Sequence, residues 1–204
     1  MTIERGRSWG RQRPLAADAP VVADDAALRH HVEISRRAGE RPPAVGLIGG
    51  DLCRTLGGLG DVDRLRSAAA TTFTVDVVRA VVDERRELWF AAHLVGRRPL
   101  WWGWAVVAMN AQWCGEWDLG PRSHPGDGLL DLTSGSLPLG DRLEARRRAR
   151  SGSHLPHPAL RTSRVSSIEL ALPRALTLRL DGVVEGRARH LFVAVEPDAL
   201  EVTV

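Results

Sequence analysis

Over the C-terminal part of the chain apolar residues return at every second position: Ile168, Leu170 and Leu172; Leu176, Leu178 and Leu180; Leu191, Val193 and Val195; Leu200, Val202 and Val204. Strand side chains alternate between faces, so each run specifies a strand with one buried side. Asp181-Gly182 is a hairpin turn signal between two of them. The pattern predicts an antiparallel meander with one face against a core. Upstream, Thr72–Val78, Leu88–Val95 and Trp104–Met109 read as further strands, with the polar link Val82–Glu87 joining the first two.

The first third is patterned differently. Residues 1–19 show no period and read as an irregular arm, with Trp9 as a candidate anchor. Val21-Val22-Ala23 is a short apolar run. It leads into a helix from Ala26 to Arg37 with apolar spacing at Leu28 and Val32, Asp24 or Asp25 as N-cap, and Gly39 as terminator. After Arg41-Pro42-Pro43, Ala44–Ile48 reads as a strand ending in Gly49-Gly50-Asp51. Leu52–Leu56 then opens a helical turn that glycines stop, and Asp61–Arg66 serves as a connector. Strand, helix, strand is a βαβ unit. The fold class is therefore α+β: a short α/β portion over 20–70, then an all-β sandwich over 71–204, with the boundary at a composition shift near residue 70. At 204 residues the chain is long enough to bury a substantial core.

Composition removes several functions. All 28 cationic residues are arginine, and lysine and tyrosine are absent. A Walker A loop, a pyridoxal Schiff base and a protein-kinase strand lysine are thereby excluded. A net charge of +3 is weak support for nucleic acid, which is not among the expected partners. No apolar run reaches the roughly 20 residues of a spanning helix. The polar N-terminus lacks the apolar stretch of a secretory signal, which places the protein in the cytoplasm as an expectation. Cys53 and Cys114 are too few for a metal knuckle and read as packed thiols.

Several segments carry candidate chemistry. Gly49-Gly50-Asp51 after a strand offers free N–H groups to an anion and a carboxylate to a cation, although such glycine pairs are more often plain turns. The Gly-, Pro- and Asp-rich stretch Met109–Leu132, flanked by strands, has the composition of a functional loop. Within it, His124-Pro125-Gly126-Asp127-Gly128-Leu129 sets a carboxylate beside carbonyls suited to magnesium or calcium, or else an Asp that hydrogen-bonds its own turn. His154 and His157 are a weaker metal pair. The Arg142–Arg150 run suits an anionic surface or a solvated helix face, and Trp101-Trp102-Gly103-Trp104 suits an interfacial or homo-oligomer contact or the core.

In order, Gly49-Gly50-Asp51, Asn110 with Gly115, Asp127-Gly128-Leu129-Leu130-Asp131 and Asp181-Gly182 resemble the motifs of the diacylglycerol kinase superfamily, which includes sphingosine kinases and, more remotely, NAD kinases. The resemblance covers about residues 20–204 and is tighter in the second half. It implies a β-sandwich of the lipid-kinase C-terminal type and ATP-dependent phosphoryl transfer to a lipid or other small-molecule hydroxyl, with ATP and Mg2+ as cofactors if the chain is active. Peripheral contact with an anionic membrane would come from the Arg142–Arg150 run. Gly49, Gly50, Asp51 and Thr55 would line the nucleotide phosphates. Asp127, with the carbonyls of His124 and Leu129, would match a structural magnesium site. Asp181 would belong to the hairpin presenting the catalytic base. The family's Gly-Thr is replaced by Leu52-Cys53-Arg54-Thr55, the base position is Val183, and Glu185 is the acidic residue two positions on, on the same strand face. An Asn-Pro phosphate loop is not evident. These departures fall on nucleotide handling and predict a degenerate kinase, or alternatively a non-catalytic lipid- or nucleotide-binding or assembly protein.

Overall fold

A computed structural model describes residues 9–204, so the first eight residues of the expected arm, including the polar N-terminus, lie outside the described residues. The arm's described part holds a two-residue strand, β1 (Arg11–Gln12), on the edge of the sheet. β2 (Val21–Val22) then leads to α1 (Asp25–Arg37). Asp24 caps α1 by accepting from Ala27 N at 2.8 Å, and Leu28 and Val32, one turn apart, are its buried stripe. β3 (Val45–Leu47) runs parallel to β2, completing the βαβ unit, and α2 (Gly50–Thr55) follows directly. The connector contains a one-turn helix, α3 (Val62–Leu65), capped by Asp61.

The remainder is built from strands. β4 (Thr71–Val82) is followed by β5 (Arg86–Phe90) and β6 (His93–Arg97). The single strand expected over Leu88–Val95 is thus two, broken at Ala91-Ala92. β7 (Ala105–Met109), the small β8–β9 hairpin (Trp113–Cys114, Trp117–Asp118), β10 (Leu130–Gly135), α4 (Leu139–Ala149) and β11 (Leu160–Val165) come next. β12 (Ser167–Leu180) and β13 (Val183–Thr203) close the chain as one long hairpin about Asp181-Gly182. The four alternating runs at the C-terminus are therefore two strands, each bent where the pairing register shifts, between Ala171 and Leu176 and between Glu196 and Leu200.

The main sheet runs β1-β4-β13-β12-β6-β7-β10-β11, all antiparallel. β3 joins it in parallel at the end of β13, pairing Val45 with Val202. β4 buries both faces, as its alternation requires: Val75 and Val77 lie in a core beneath α1 and α2, while Val78, Ala80 and Val82 lie in the sandwich core. β13 does the same along its length, with Leu191 and Val193 in the sandwich and Leu200 and Val202 beneath the helices. Among the described residues no helix is long and apolar enough to cross a membrane.

Candidate functional site

The site lies where α1, α2, the β5–β6 break, the β8–β9 hairpin and the β12–β13 turn converge. The first amides of a helix have no partner within it. At α2 they are met by a carboxylate from inside the chain: Asp25 accepts from Asp51 N and, at 3.1 Å, from Leu52 N. The glycines at the start of α2, Gly49 as its cap and Gly50 as its first residue, make this close approach possible. A Cβ on Gly50 would stand 2.5 Å from Asp25 Oδ1, and one on Gly49 would stand 2.5 Å from the Ala23 carbonyl oxygen. Gly50 also has φ +91°, a conformation that side-chain-bearing residues avoid. Burial, with repulsion from the Asp181 carboxylate, pushes Asp25 up to about 7 in spite of the two amides.

Asp51 turns its own carboxylate away from the α2 N-terminus. Oδ2 lies 2.9 Å from His93 Nε2, and both oxygens accept the Gly115 N–H at 2.9 Å. Burial alone would raise Asp51, but His93 and the Gly115 amide outweigh it and hold the acid below its ordinary range. His93 is only 5% exposed. Burial works against its imidazolium, yet Asp51, the Cys114 sulfur and Asp181 prevail and raise it to about 11. Its Nδ1 is buried without a partner.

The β8–β9 hairpin is fastened over α2. Arg54 Nη1 donates to the Gly115 carbonyl at 3.0 Å and lies 3.4 Å from the Trp113 ring centroid. Thr55 Oγ1 donates to the Asp51 carbonyl at 2.8 Å and accepts Gln112 N at 3.1 Å. The four candidate phosphate residues Gly49, Gly50, Asp51 and Thr55 are thus together, with Asp51 and Thr55 hydrogen-bonded to other parts of the chain and no room for side chains at the two glycines.

The candidate catalytic residues stand as follows. Asp181 is buried and accepts three amides, Ala91 N at 2.8 Å and Ala92 N and His93 N each at 2.9 Å. This carboxylate is what interrupts the strand expected over Leu88–Val95, because it takes amides that would otherwise serve a sheet ladder. Burial raises its pKa against the pull of His93 and the amides. Glu185 lies 2.8 Å from Arg29 Nη1, and Arg29 also pairs with Glu33 at 2.8 Å. Val183, at the family's base position, is exposed.

The candidate magnesium residues lie apart from this cluster. Asp127 Oδ1 accepts Leu129 N at 3.0 Å, its Oδ2 pairs with Arg164, and the His124 carbonyl accepts Gly126 N at 2.8 Å. The carboxylate that organises this loop from below is Asp76, which sequence reading did not single out. It is 1% exposed and accepts Gly128 N at 2.7 Å and Asp198 N at 2.9 Å. Asn110 ties loop to core, donating to the carbonyls of Asp76 at 3.0 Å and Ala91 at 2.7 Å. Asp25 and His93 were likewise missed as site residues. The signal that could have found Asp25 is its place at the start of the helix that follows the first strand of the βαβ unit.

A β-sandwich whose C-terminal strand also carries a small α/β layer, with Gly-Gly-Asp opening a helix at their junction, defines a lipid-kinase-like or NAD-kinase-like architecture. Residues 60–204 match the family described as the YegS C-terminal NAD kinase beta sandwich-like domain, and the chain belongs to that family. By sequence, no curated protein matches it significantly. Two solved structures of a candidate diacylglycerol kinase from Bacillus anthracis str. Sterne superpose with TM-scores of 0.66 and 0.67 at 12% and 13% identity, each covering 89% of this chain and 76% of the other. A third, titled a diacylglycerol kinase from the same source, has a TM-score of 0.59 at 14% identity and covers 89% and 74%. At these identities the likeness is one of fold, and it agrees with the resemblance carried by the motifs.

Proposed function

We propose that this chain is a non-phosphorylating member of the lipid-kinase fold that acts by binding an anionic lipid surface. The observation that carries the first half is the Asp25 carboxylate on the amides of Asp51 and Leu52. A nucleotide phosphate needs those donors, and would meet an acidic side chain in their place. With Asp25 on its first amides, the Gly49–Thr55 segment does not fit ATP. Glu185, an acid two residues past the lost base position, is held in an ion pair with Arg29, which further supports this reading.

The second half rests on one surface. Leu100 and Trp102, around the β6–β7 connection, and Leu139 and Leu143 on α4 are exposed large apolar residues. Arg142 lies 4.8 Å from the Trp102 ring centroid, which brings the two segments together. Arg146, Arg147 and Arg148 are on the same short helix. Exposed indole and leucine beside clustered arginines suit the headgroup boundary of an acidic bilayer.

Two measurements test the proposal together. Calorimetry with millimolar ATP and magnesium is expected to give no heat of binding, and no phosphate is expected to reach lipid. Cosedimentation with phosphatidylcholine vesicles containing phosphatidylglycerol is expected to exceed that with phosphatidylcholine alone, and to be lost on Leu100→Ser with Trp102→Ser. ATP binding followed by lipid phosphorylation that Glu185→Gln abolishes would overturn the first half. Equal sedimentation with neutral and acidic vesicles would overturn the second.

A further inference from the structure

From the geometry we infer that Asp51, His93 and Cys114 form a binding site for zinc. The three side chains come from α2, β6 and β8, far apart in sequence, and present one carboxylate oxygen, one imidazole nitrogen and one thiol sulfur. These ligand atoms all lie within 4.8 Å of one another. In tetrahedral zinc, bond lengths of about 2.0–2.3 Å place ligand atoms roughly 3.3–3.8 Å apart. The Asp51–His93 contact at 2.9 Å has only to open by a few tenths of an ångström for an ion to replace the shared proton.

The mixed oxygen, nitrogen and sulfur set decides which ion. A thiolate and an imidazole favour a borderline cation such as zinc over magnesium or calcium, which prefer oxygen throughout. The surroundings are those of a ligand set held in place. Gly115, next to Cys114, donates its N–H to Asp51, so one ligand's neighbour orients another ligand, while Arg54 and Trp113 clamp the same turn onto α2. Gly115 has φ +61°, which a residue with a side chain adopts only under strain, so the turn that presents Cys114 is specified by sequence. His93 is buried beyond nine-tenths and has one ring nitrogen without a protein partner. Three protein ligands leave a fourth position for water, and the partly exposed Cys114 gives an ion its way in.

Such a site would staple the α/β layer, the sandwich and the hairpin together. It is independent of the lipid reading, since none of its ligands lies on α4 or on the Leu100–Trp102 segment. It also differs from a nucleotide-linked magnesium site in taking a thiolate.

The test uses the whole chain, stripped with chelator and titrated with Co2+ and then Zn2+. We expect one equivalent of Co2+ to bind, with a thiolate-to-cobalt charge-transfer band in the near ultraviolet, and Zn2+ to displace it and raise Tm. Cys114→Ser is expected to remove the band and weaken Zn2+ binding by more than about 100-fold, beyond the 10–100-fold usual for loss of a supporting residue. Cys53→Ser is expected to keep both, because Cys53 is buried with its sulfur on the Leu47 carbonyl. His93→Gln is the second ligand variant, read alongside circular dichroism. A cobalt spectrum without a thiolate band, or Zn2+ affinity unchanged in Cys114→Ser, would overturn the site even if His93→Gln failed to fold.

Discussion

At Asp181 one buried carboxylate satisfies three amides of the β5–β6 break, while its own N–H donates to the His93 carbonyl at 2.9 Å. Removing it strands donors that water cannot reach, at about 1–3 kcal/mol for each group left unpaired. Asp181→Ala is therefore expected to cost at least about 3 kcal/mol in urea unfolding. Asp181→Asn keeps an acceptor oxygen and tolerates the φ of +47°, so its loss should be clearly smaller. Equal losses in the two variants would show that the turn conformation, and not the amide contacts, carries the effect. A second acid allows a cleaner test of pH. Asp83, at the β4–β5 turn, accepts Arg189 N and His190 N, each at 2.8 Å, and those bonds hold its carboxyl below the usual value. A depressed folded-state pKa gives stability that is fully present above the unfolded value near 3.9 and disappears as pH falls through the folded one. Asp83→Asn is expected to lower Tm by roughly 2 °C at pH 7, with the gap from the parent closing as pH falls below the unfolded value near 3.9. A gap that stays constant down to pH 2 would refute this account.

At the level of elements, sequence and structure agree wherever the determinant is local. Asp24 caps α1 because its side chain reaches an amide three residues away, and Leu28 and Val32 lie one helical turn apart. The alternation in β12 and β13 declares their buried face for the same reason. What the sequence hides is set at long range. The break between β5 and β6 depends on a carboxylate 90 residues further on, and no pattern within Leu88–Val95 announces it. The two short strands Trp113–Cys114 and Trp117–Asp118 sit inside a Gly-rich loop whose composition masks them. Of the candidate zinc ligands only Asp51, after Gly49-Gly50, stands out beside its neighbours, while His93 and Cys114 are silent. Cys114 reads as a packed thiol until α2 and β6 are folded against it. One further interaction between elements can be measured directly. Glu185 on β13 and Arg29 on α1 are largely buried, with side chains 18% and 6% exposed. Breaking a charge pair of this kind is costly because its partner stays buried, though Glu33 remains beside Arg29 and limits the loss. Glu185→Gln is expected to destabilise by about 1–3 kcal/mol. Stability unchanged from the parent would indicate that the pair is as well served by water.

For the whole molecule, the question is whether the α/β layer and the sandwich unfold as one. Two strands answer it physically, since β4 buries Val75 and Val77 on one side and Val78, Ala80 and Val82 on the other, and β13 passes from one core to the other along its length. Neither core can be exposed without removing a wall of its neighbour, and β3 is hydrogen-bonded to the last residues of β13. Leu28 on the buried face of α1 and Leu178 in the sandwich are both fully buried. Truncating either to alanine should cost about 2–5 kcal/mol, according to how far the cavity collapses. Because the layers share their strands, each variant is expected to shift one and the same transition. Unfolding followed by tryptophan fluorescence, with Trp89 packed in the helical-side core and Trp104 against the sandwich core, should coincide with far-ultraviolet circular dichroism in both variants. If Leu28→Ala instead produced an early fluorescence step while the circular dichroism of the strands stayed native, the α/β layer would be a separately melting unit. The shared strands would then be a seam between two units. Coincident transitions would make them the common wall through which loss of either core reaches the cluster formed by Asp25, Asp51, His93 and Asp181.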